Sequence, residues 1–254
     1  MKPTNQSVGK GHPRLLAMFA HPDDESFGPG GTIAKYASEG VEVRLIVATR
    51  GEKSTMGSSE KYGADELGAI RERELCSAAE VLGVRQVRVL GYLDTRLHEA
   101  DPEELASALG RAMIEIRPDV VITFDPGGIT ANPDHVAVTK AVSQAFSDIY
   151  PRQQGQDLLQ SRLYYWVVPQ TIATHLREVS NIDFVGTPED SITTIIDVSA
   201  SLGRQWQAIR CHKSQSDPIP AVLKERLQAQ GGREFFVRAG RVPQASGVET
   251  DLFG

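Results

Sequence analysis

Short apolar runs alternate with longer amphipathic segments along the chain, and this rhythm predicts strands that alternate with helices. The apolar runs are typical of buried strands, and the segments between them carry the apolar spacing of helices. Strands are expected at residues 15–20, 41–49, 87–90, 120–124, 163–168, 192–198 and 234–237. Helices are expected at residues 30–38, 67–82, from 101 onward, 133–149 and 199–213.

The order of these elements indicates the fold class. Strands alternate with helices through residue 150, which favours a parallel sheet with helices on both faces. We therefore predict an α/β protein with a mostly parallel sheet. Residues 1–12 are polar and contain glycine and proline, which predicts a flexible tail. No composition shift divides residues 13–254, and these are expected to form a single domain.

The most informative segment follows the first strand. An imidazole and three carboxylates stand close together there, in His21, Asp23, Asp24 and Glu25. Open α/β sheets bind ligands at the carboxyl ends of their strands. A divalent cation would offset the repulsion between the carboxylates, and the nitrogen and oxygen ligands of His21 and Asp24 suit zinc. The competing interpretation is a solvated helix N-terminus, which favours acidic side chains without a metal.

A second histidine can complete this site. His135 follows the strand at 120–124, and the carboxyl ends of parallel strands meet at one rim of a sheet. His135 can therefore approach His21 and Asp24, and two histidines with one aspartate are typical of a zinc site that keeps a position open for water. Asp23 is then the expected general base for that water. The alternative is that His135 only begins a helix and faces solvent.

Composition narrows the class of partner. The chain has 254 residues and a formal net charge of −6, which does not favour binding to nucleic acid or to an anionic membrane surface. No apolar run approaches the roughly 20 residues that span a bilayer. The two cysteines, Cys76 and Cys211, lack metal-ligand spacing, and no signal peptide is evident. These features predict a cytoplasmic protein.

Three motifs resemble those of the LmbE-like, or PIG-L, deacetylase family. The first is Ala-His-Pro-Asp-Asp-Glu at residues 20–25, followed by Gly-Gly-Thr at residues 30–32. The second is Asn-Pro-Asp-His at residues 132–135. The third lies at residues 208–215, where a histidine precedes a Ser-Gln pair. The resemblance extends from about residue 14 to residue 238.

The resemblance implies a Rossmann-like fold and one zinc ion per chain. It implies hydrolysis of the N-acetyl group of a small molecule that contains N-acetylglucosamine, with release of acetate and a free amine. Members act on N-acetylglucosaminyl intermediates, including precursors of the thiols mycothiol and bacillithiol, and relatives often form homo-oligomers. By position, the implied metal ligands are His21, Asp24 and His135, with Asp23 as the base. The implied substrate contacts are Arg50, Arg71 and Asp94.

One position departs from the family pattern. Many members carry a histidine where this chain has Asn132, paired with the aspartate that matches Asp134. That histidine is thought to steady the oxyanion or to protonate the leaving amine. Asn132 can donate an N–H to an oxyanion, but it cannot supply a proton. We therefore hypothesise that Asp23 acts first as base and then as acid, with His212 as the alternative acid.

Three other functions stay open on the sequence alone. A dinucleotide-binding protein fits the fold, but carboxylates stand where its glycine-rich loop would meet phosphate. A catalytically weak metal-binding member of the family would account for Asn132. An amidase for thiol conjugates would use the same metal ligands, so these residues do not separate it from a deacetylase.

Overall fold

Seven strands form one sheet in the part of the chain that the computed structural model describes, residues 12–151, 161–216, 219–241 and 247–254. In chain order they are β1 (Arg14–Phe19), β2 (Glu42–Thr49), β3 (Gln86–Tyr92), β4 (Val120–Phe124), β5 (Arg162–Val167), β6 (Thr194–Asp197) and β7 (Arg233–Arg238). Their order across the sheet is β3-β2-β1-β4-β5-β7-β6. Neighbouring strands are parallel except β7, which is antiparallel to both β5 and β6. The predicted α/β class and mostly parallel sheet are confirmed.

Helices cover the two faces of this sheet. They are α1 (Asp24–Phe27), α2 (Gly30–Ser38), α3 (Ala64–Leu82), α4 (Pro102–Ile116), α5 (Gly128–Ala131), α6 (Pro133–Ile149), α7 (Gln170–Val179), α8 (Leu202–Cys211), α9 (Lys213–Ser216) and α10 (Ala221–Gln230). Helices α2, α3 and α8 pack against one another, and α4 packs against α6. No helix in the described ranges is both long and apolar enough to cross a membrane.

Local sequence signals set several of the helix ends. Asp101 precedes α4, and its carboxylate accepts the backbone N–H groups of Glu103 and Glu104, as expected for an N-cap. Gly83 ends α3 with φ 82°, a left-handed conformation that glycine adopts without steric cost. Asn132 caps α6, whose first residue is Pro133. The predicted starts of α4 and α6 are confirmed.

The centre of the sheet is buried on both faces. Every residue of β4 and all but the first of β1 are buried, because helices lie above and below these strands. The rings of Phe19 and Phe124, at the ends of β1 and β4, lie 4.9 Å apart. The chain order reverses between β1 and β4, which is the usual ligand-binding point of an open α/β sheet. The core therefore holds the two strand ends that carry the candidate ligands.

The structure departs from the predicted elements in the second half of the chain. Helices α7 and α10 were not predicted, and the helix expected at residues 199–213 is divided into α8 and α9 at His212. Residues 1–11 of the predicted tail lie outside the described residues. The single-domain organisation of residues 13–254 stays a prediction.

Candidate active site

A cavity of about 410 Å³ opens at the carboxyl ends of the central strands. His21 enters it from the turn after β1, Asp94 from the loop after β3, and His135 from the first turn of α6 after β4. The sheet order places β1 beside β4, which brings His21 and His135 together although 114 residues separate them. The predicted meeting of the two motifs at one rim is confirmed.

Side-chain atoms of three residues converge in this cavity. His21 Nδ1 lies 3.2 Å from His135 Nε2 and 3.5 Å from Asp24 Oδ2, and His135 Nε2 lies 3.4 Å from Asp24 Oδ1. Atoms bound about 2.0–2.1 Å from a tetrahedral metal ion are about 3.3 Å apart. The three side chains therefore offer atoms with the mutual spacing of metal ligands.

The ring of His135 is held so that Nε2 faces the cavity. Its Nδ1 lies 3.1 Å from the carbonyl oxygen of Gly128, which can only accept a hydrogen bond. Nδ1 therefore carries the proton, and the lone pair of Nε2 is free. The ring also stacks on Phe124, with centroids 4.0 Å apart and planes 7° from parallel. Both contacts fix the orientation that a metal ligand needs.

Two carboxylates orient His21 in the same way. Its Nε2 lies 3.1 Å from Asp94 Oδ1 and 3.5 Å from Asp134 Oδ2, so Nε2 carries a proton and Nδ1 faces His135. Burial disfavours a charged imidazole, but hydrogen bonds to Asp134, Asp24 and Asp94 raise the pKa of His21 well above its ordinary value. Carboxylates thus surround His21, and the cluster favours added positive charge.

This donor set fits a metal ion. Two imidazole nitrogens and a carboxylate oxygen meet with their lone pairs directed at one another, an arrangement that a cation stabilises. Burial opposes ionisation of Asp24, but the charge and hydrogen bonds of His135 and His21 hold its pKa well below its usual range. His21, Asp94 and Asp134 form a second set of side chains close enough together to hold a metal ion. His21 belongs to both sets.

Asp23 lies next to these atoms in a constrained conformation. Its backbone has φ 113°, in the left-handed region, and its N–H donates to Glu25 Oε2 at 3.0 Å. Its carboxylate accepts a hydrogen bond from Arg71 Nη2 at 3.0 Å. Burial raises the pKa of Asp23 to about 6, although the charge of Arg71 opposes this rise. A carboxylate with such a pKa is suited to general-base work near neutral pH.

Glu25 and His212 lie behind the acidic turn. Both are fully buried, and His212 Nε2 is 2.7 Å from Glu25 Oε1. Burial disfavours the charged imidazole, but Glu25 raises the pKa of His212 above its ordinary value. His212 does not line the cavity. This placement disfavours the alternative that His212 protonates a leaving amine directly, because its one partnered nitrogen is directed at Glu25.

Asn132 and Asp134, at the start of α6, have different surroundings. Asn132 lines the cavity, and its Oδ1 accepts the N–H of Asp134 at 2.9 Å, which leaves its amide N–H groups for a ligand. Asp134 is 1% exposed and accepts the backbone N–H groups of Thr95 and Leu97. These hydrogen bonds hold the carboxylate of Asp134 against His21.

The three predicted substrate-contacting residues are not equivalent. Asp94 and Arg71 line the cavity, although each is almost fully buried. Arg71 donates to the carbonyl oxygens of Gly51 and Pro22 as well as to Asp23, so the structure places it beneath the acidic turn.

Arg50, the third of these residues, does not line the cavity, and its Nε donates to Glu72 at 2.6 Å. Lys53, from the same loop, does line the cavity but was not predicted.

Much of the cavity wall is apolar and was not predicted from the sequence. Large apolar side chains come from α1, from the ends of β4 and β5, and from the chain around α7 and α10. They are Phe27, Phe124, Trp166, Ile182, Phe184, Val222 and Leu223. Trp166 belongs to the hydrophobic core and also lines the cavity. An apolar segment has the same composition whether it fills a core or lines a cavity, so the sequence does not distinguish the two.

Solved structures share this fold. The N,N'-diacetylchitobiose deacetylase of Pyrococcus horikoshii matches with a TM-score of 0.63 and 24% identity, over 89% of this chain and 83% of that chain. The 4-carboxy-2-hydroxymuconate hydratase of Pseudomonas putida matches with a TM-score of 0.68 and 18% identity, over 92% of this chain and 100% of that chain. Because one is a deacetylase and the other a hydratase, the fold alone does not decide the reaction.

Proteins of similar sequence identify the family of this chain. A 1D-myo-inositol 2-acetamido-2-deoxy-alpha-D-glucopyranoside deacetylase of Rhodococcus jostii is 33% identical, over 95% of this chain and 97% of the relative. A protein of the same name from Saccharomonospora viridis is also 33% identical, over 94% and 99%. Residues 16–146, which include both metal-ligand motifs, match the PIG-L family, described as GlcNAc-PI de-N-acetylase. The chain therefore belongs to the PIG-L family of de-N-acetylases.

Proposed function

We propose that this protein is a zinc-dependent deacetylase that hydrolyses the N-acetyl group of an N-acetylglucosamine-containing small molecule. The observation that carries the proposal is the convergence of His21 Nδ1, His135 Nε2 and the Asp24 carboxylate at 3.2–3.5 Å from one another. The names of the sequence relatives support the class of substrate.

The metal would be held by His21, Asp24 and His135. Nitrogen and oxygen ligands of this kind favour zinc over magnesium or calcium, which prefer sites made entirely of oxygen. Zinc bound there supplies a Lewis acid that polarises the acetyl carbonyl and makes water a nucleophile near neutral pH. Asp94 and Asp134 hold the ring of His21 through Nε2.

Asp23 is the proposed general base. Its carboxylate lines the cavity beside the ligands, and Arg71 holds it through a hydrogen bond to Oδ2. Asp23 takes the proton of the attacking water, and the same carboxyl then delivers a proton to the leaving nitrogen. The acetyl C–N bond breaks, and the products are acetate and a free amine.

Asn132 is the proposed oxyanion donor. Because its Oδ1 accepts the N–H of Asp134, its amide nitrogen is directed away from that contact and its N–H groups are available in the cavity. A neutral amide donor stabilises developing negative charge without changing its protonation state. This leaves proton transfer to Asp23.

Asp94 and Arg71 are the proposed substrate contacts, because both line the cavity. Arg50 stays a predicted contact. Its side chain would have to break its hydrogen bond to Glu72 before it could bind substrate. Trp166 and Phe27 supply the apolar cavity surface proposed to pack against the less polar face of the sugar.

The test is release of a free amine by zinc-loaded protein. We would offer N-acetylglucosaminyl-inositol, N-acetylglucosaminyl-malate and an amide conjugate of a glucosaminyl thiol, and measure amine and acetate for each. The proposal predicts acetate from an N-acetylglucosaminyl compound, and loss of turnover after chelation that added zinc restores. Cleavage of the thiol conjugate alone would contradict the deacetylase proposal in favour of the amidase. Firm zinc binding with no turnover on any compound would favour a catalytically weak protein.

A further inference from the structure

One part of the cavity contains a buried positive charge without a carboxylate partner. Arg226, on α10, is 3% exposed and lines the cavity. Its guanidinium lies over the ring of Trp166, 5.0 Å from the centroid. It donates to two neutral acceptors, the carbonyl oxygen of Phe27 and Oε1 of Gln230. Within the described residues, no carboxylate lies at ion-pair distance from it, which is unusual because buried charges are normally paired.

Arg226 is nevertheless a cation at neutral pH. Burial lowers its pKa, but only to about 10. Glu234 is a buried carboxylate whose charge acts on Arg226 through space, yet its own oxygens accept the backbone N–H groups of Gly31 and Thr32. Its hydrogen bonds are therefore made to the start of α2 rather than to Arg226.

The surroundings of Arg226 also have too few acceptors. The Nε1–H of Trp166 and the Nε2 amide of Gln230 are both buried and lack hydrogen-bond partners among the described residues. Two unpaired donor groups therefore lie beside one stacked cation, and no anion among the described residues meets them. A buried cluster with this surplus of donors suits a ligand that brings an acceptor with negative charge.

The cavity beside this cluster is apolar. Trp166, Phe27 and Leu223 line it next to Arg226, and Val222 and Phe184 add further apolar surface. An apolar wall with a single buried cation suits a flat or aliphatic group that ends in one negative charge. A carboxylate fits better than a phosphate, because Arg226 has donors committed to Phe27 and Gln230 and a dianion would leave more charge unpaired.

We propose that Arg226, with Trp166, forms a subsite for a carboxylate carried on an apolar group of the substrate. This inference rests on the proposed deacetylase function, because the same cavity holds the metal ligands and the cluster. It assigns the substrate an N-acetylated amino sugar joined to an apolar acid. Arg226 is a specificity-determining residue in this account, and it takes no part in proton transfer.

The test compares two glycosides of N-acetylglucosamine that differ in one charge. They are the para-carboxyphenyl and para-carbamoylphenyl glycosides, which have nearly the same shape. Zinc-loaded protein should favour the carboxylate by about ten- to hundredfold in kcat/KM, mainly through KM, because a hydrogen bond to a charged group changes binding by that amount. Arg226→Met should bring the ratio of the two kcat/KM values close to one, because the carboxylate loses its charged partner. Arg226→Lys should retain part of the preference, and Arg210→Met, a change at an exposed arginine of α8, should retain all of it.

Two results would overturn the inference. One is an equal kcat/KM for both glycosides in the unaltered protein, a comparison that does not depend on the folding of any variant. The other is a carboxylate preference that persists in Arg226→Met. Calorimetric binding of the two deacetylated glycosides separates this inference from the proposed function, because it needs no turnover. Equal affinities for the two products would reject the carboxylate subsite, and a carboxylate preference without turnover would reject only the deacetylase function.

Discussion

Nη2 of Arg71 donates to Oδ2 of Asp23 at 3.0 Å, and both side chains are almost fully buried. The acidic turn after β1 thus receives its cation from the middle of α3, 48 residues away. Arg71 also donates to the carbonyl oxygens of Gly51 and Pro22, so it ties the turn to the loop after β2. The candidate base is therefore held by a fixed charge rather than by solvent.

Replacing Arg71 should change the pH dependence of the reaction. Asp23 must be ionised to act as a base, so activity falls as the pH drops through its pKa. Burial raises this pKa to about 6 and Arg71 lowers it, so Arg71→Met removes the lowering influence. The acidic limb of kcat/KM should move to higher pH. Arg71→Lys keeps the charge and should leave the limb near its original position, whereas equal profiles for both variants would show that Arg71 does not set the pKa of Asp23.

Replacing Asp94 tests whether this residue supports metal binding or contacts the sugar. Its Oδ1 lies 3.1 Å from Nε2 of His21, so it orients a proposed metal ligand. Asp94→Asn should weaken zinc binding by about ten- to hundredfold, as the loss of such partners does elsewhere. Competition with a chromophoric chelator measures this, and the exposed Asp65→Asn serves as the control. An unchanged zinc affinity with a raised KM would instead assign Asp94 to the sugar alone.

Asn132 tests whether Asp23 serves both proton transfers. If Asp23 is base and then acid, Asn132→His adds a donor that the reaction does not need, and the pH–rate profile should keep its shape. The measurement is kcat/KM for the unaltered protein and for Asn132→His between about pH 5 and pH 10. This range covers the titration of a histidine side chain. A new limb in the variant would show that an imidazole at this position takes over the acid role.

His212 should matter for stability through Glu25. His212 Nε2 lies 2.7 Å from Glu25 Oε1, and both side chains are fully buried. His212→Leu leaves the buried carboxylate of Glu25 without the imidazole that offsets its charge, which should lower the free energy of unfolding by about 3–5 kcal/mol. Urea unfolding at a fixed free zinc concentration measures this, with the exposed His175→Leu as the control. A loss no larger than that of the control would mean that Glu25 finds another partner.

The sequence predicted the metal-ligand set because that set depends on local signals and on one rule of topology. Residues 15–20 and 120–124 are apolar enough to be predicted as buried strands. The first strand leads directly into a motif with a histidine, and the second is followed by such a motif at residues 132–135. Parallel strands place such motifs at one rim. The same reasoning could not supply the neighbours of each ligand. The contact of Asp94 with His21 depends on how the loop after β3 folds across β2 and β1.

The second half of the chain was harder to predict for a physical reason. Strand β7 lies between β5 and β6 and is antiparallel to both, and an apolar run does not encode its partner or direction. Helix α10 carries Lys224, Glu225 and Arg226 between its apolar positions, which obscures an apolar stripe. Since Arg226 is charged, the sequence suggests a solvated face, whereas the fold buries it against Trp166.

The role of Asp23 as general base is tested by comparing zinc-loaded protein with its Asp23→Asn variant. Zinc content and amine release from N-acetylglucosaminyl substrates would be measured on the same samples, with Asp65→Asn as the matched control. We expect one zinc per chain in all three proteins, and turnover in all but Asp23→Asn, because that variant keeps the ligands and loses the base. Turnover that survives in Asp23→Asn at the rate of the unaltered protein would contradict the assignment of Asp23 as the base.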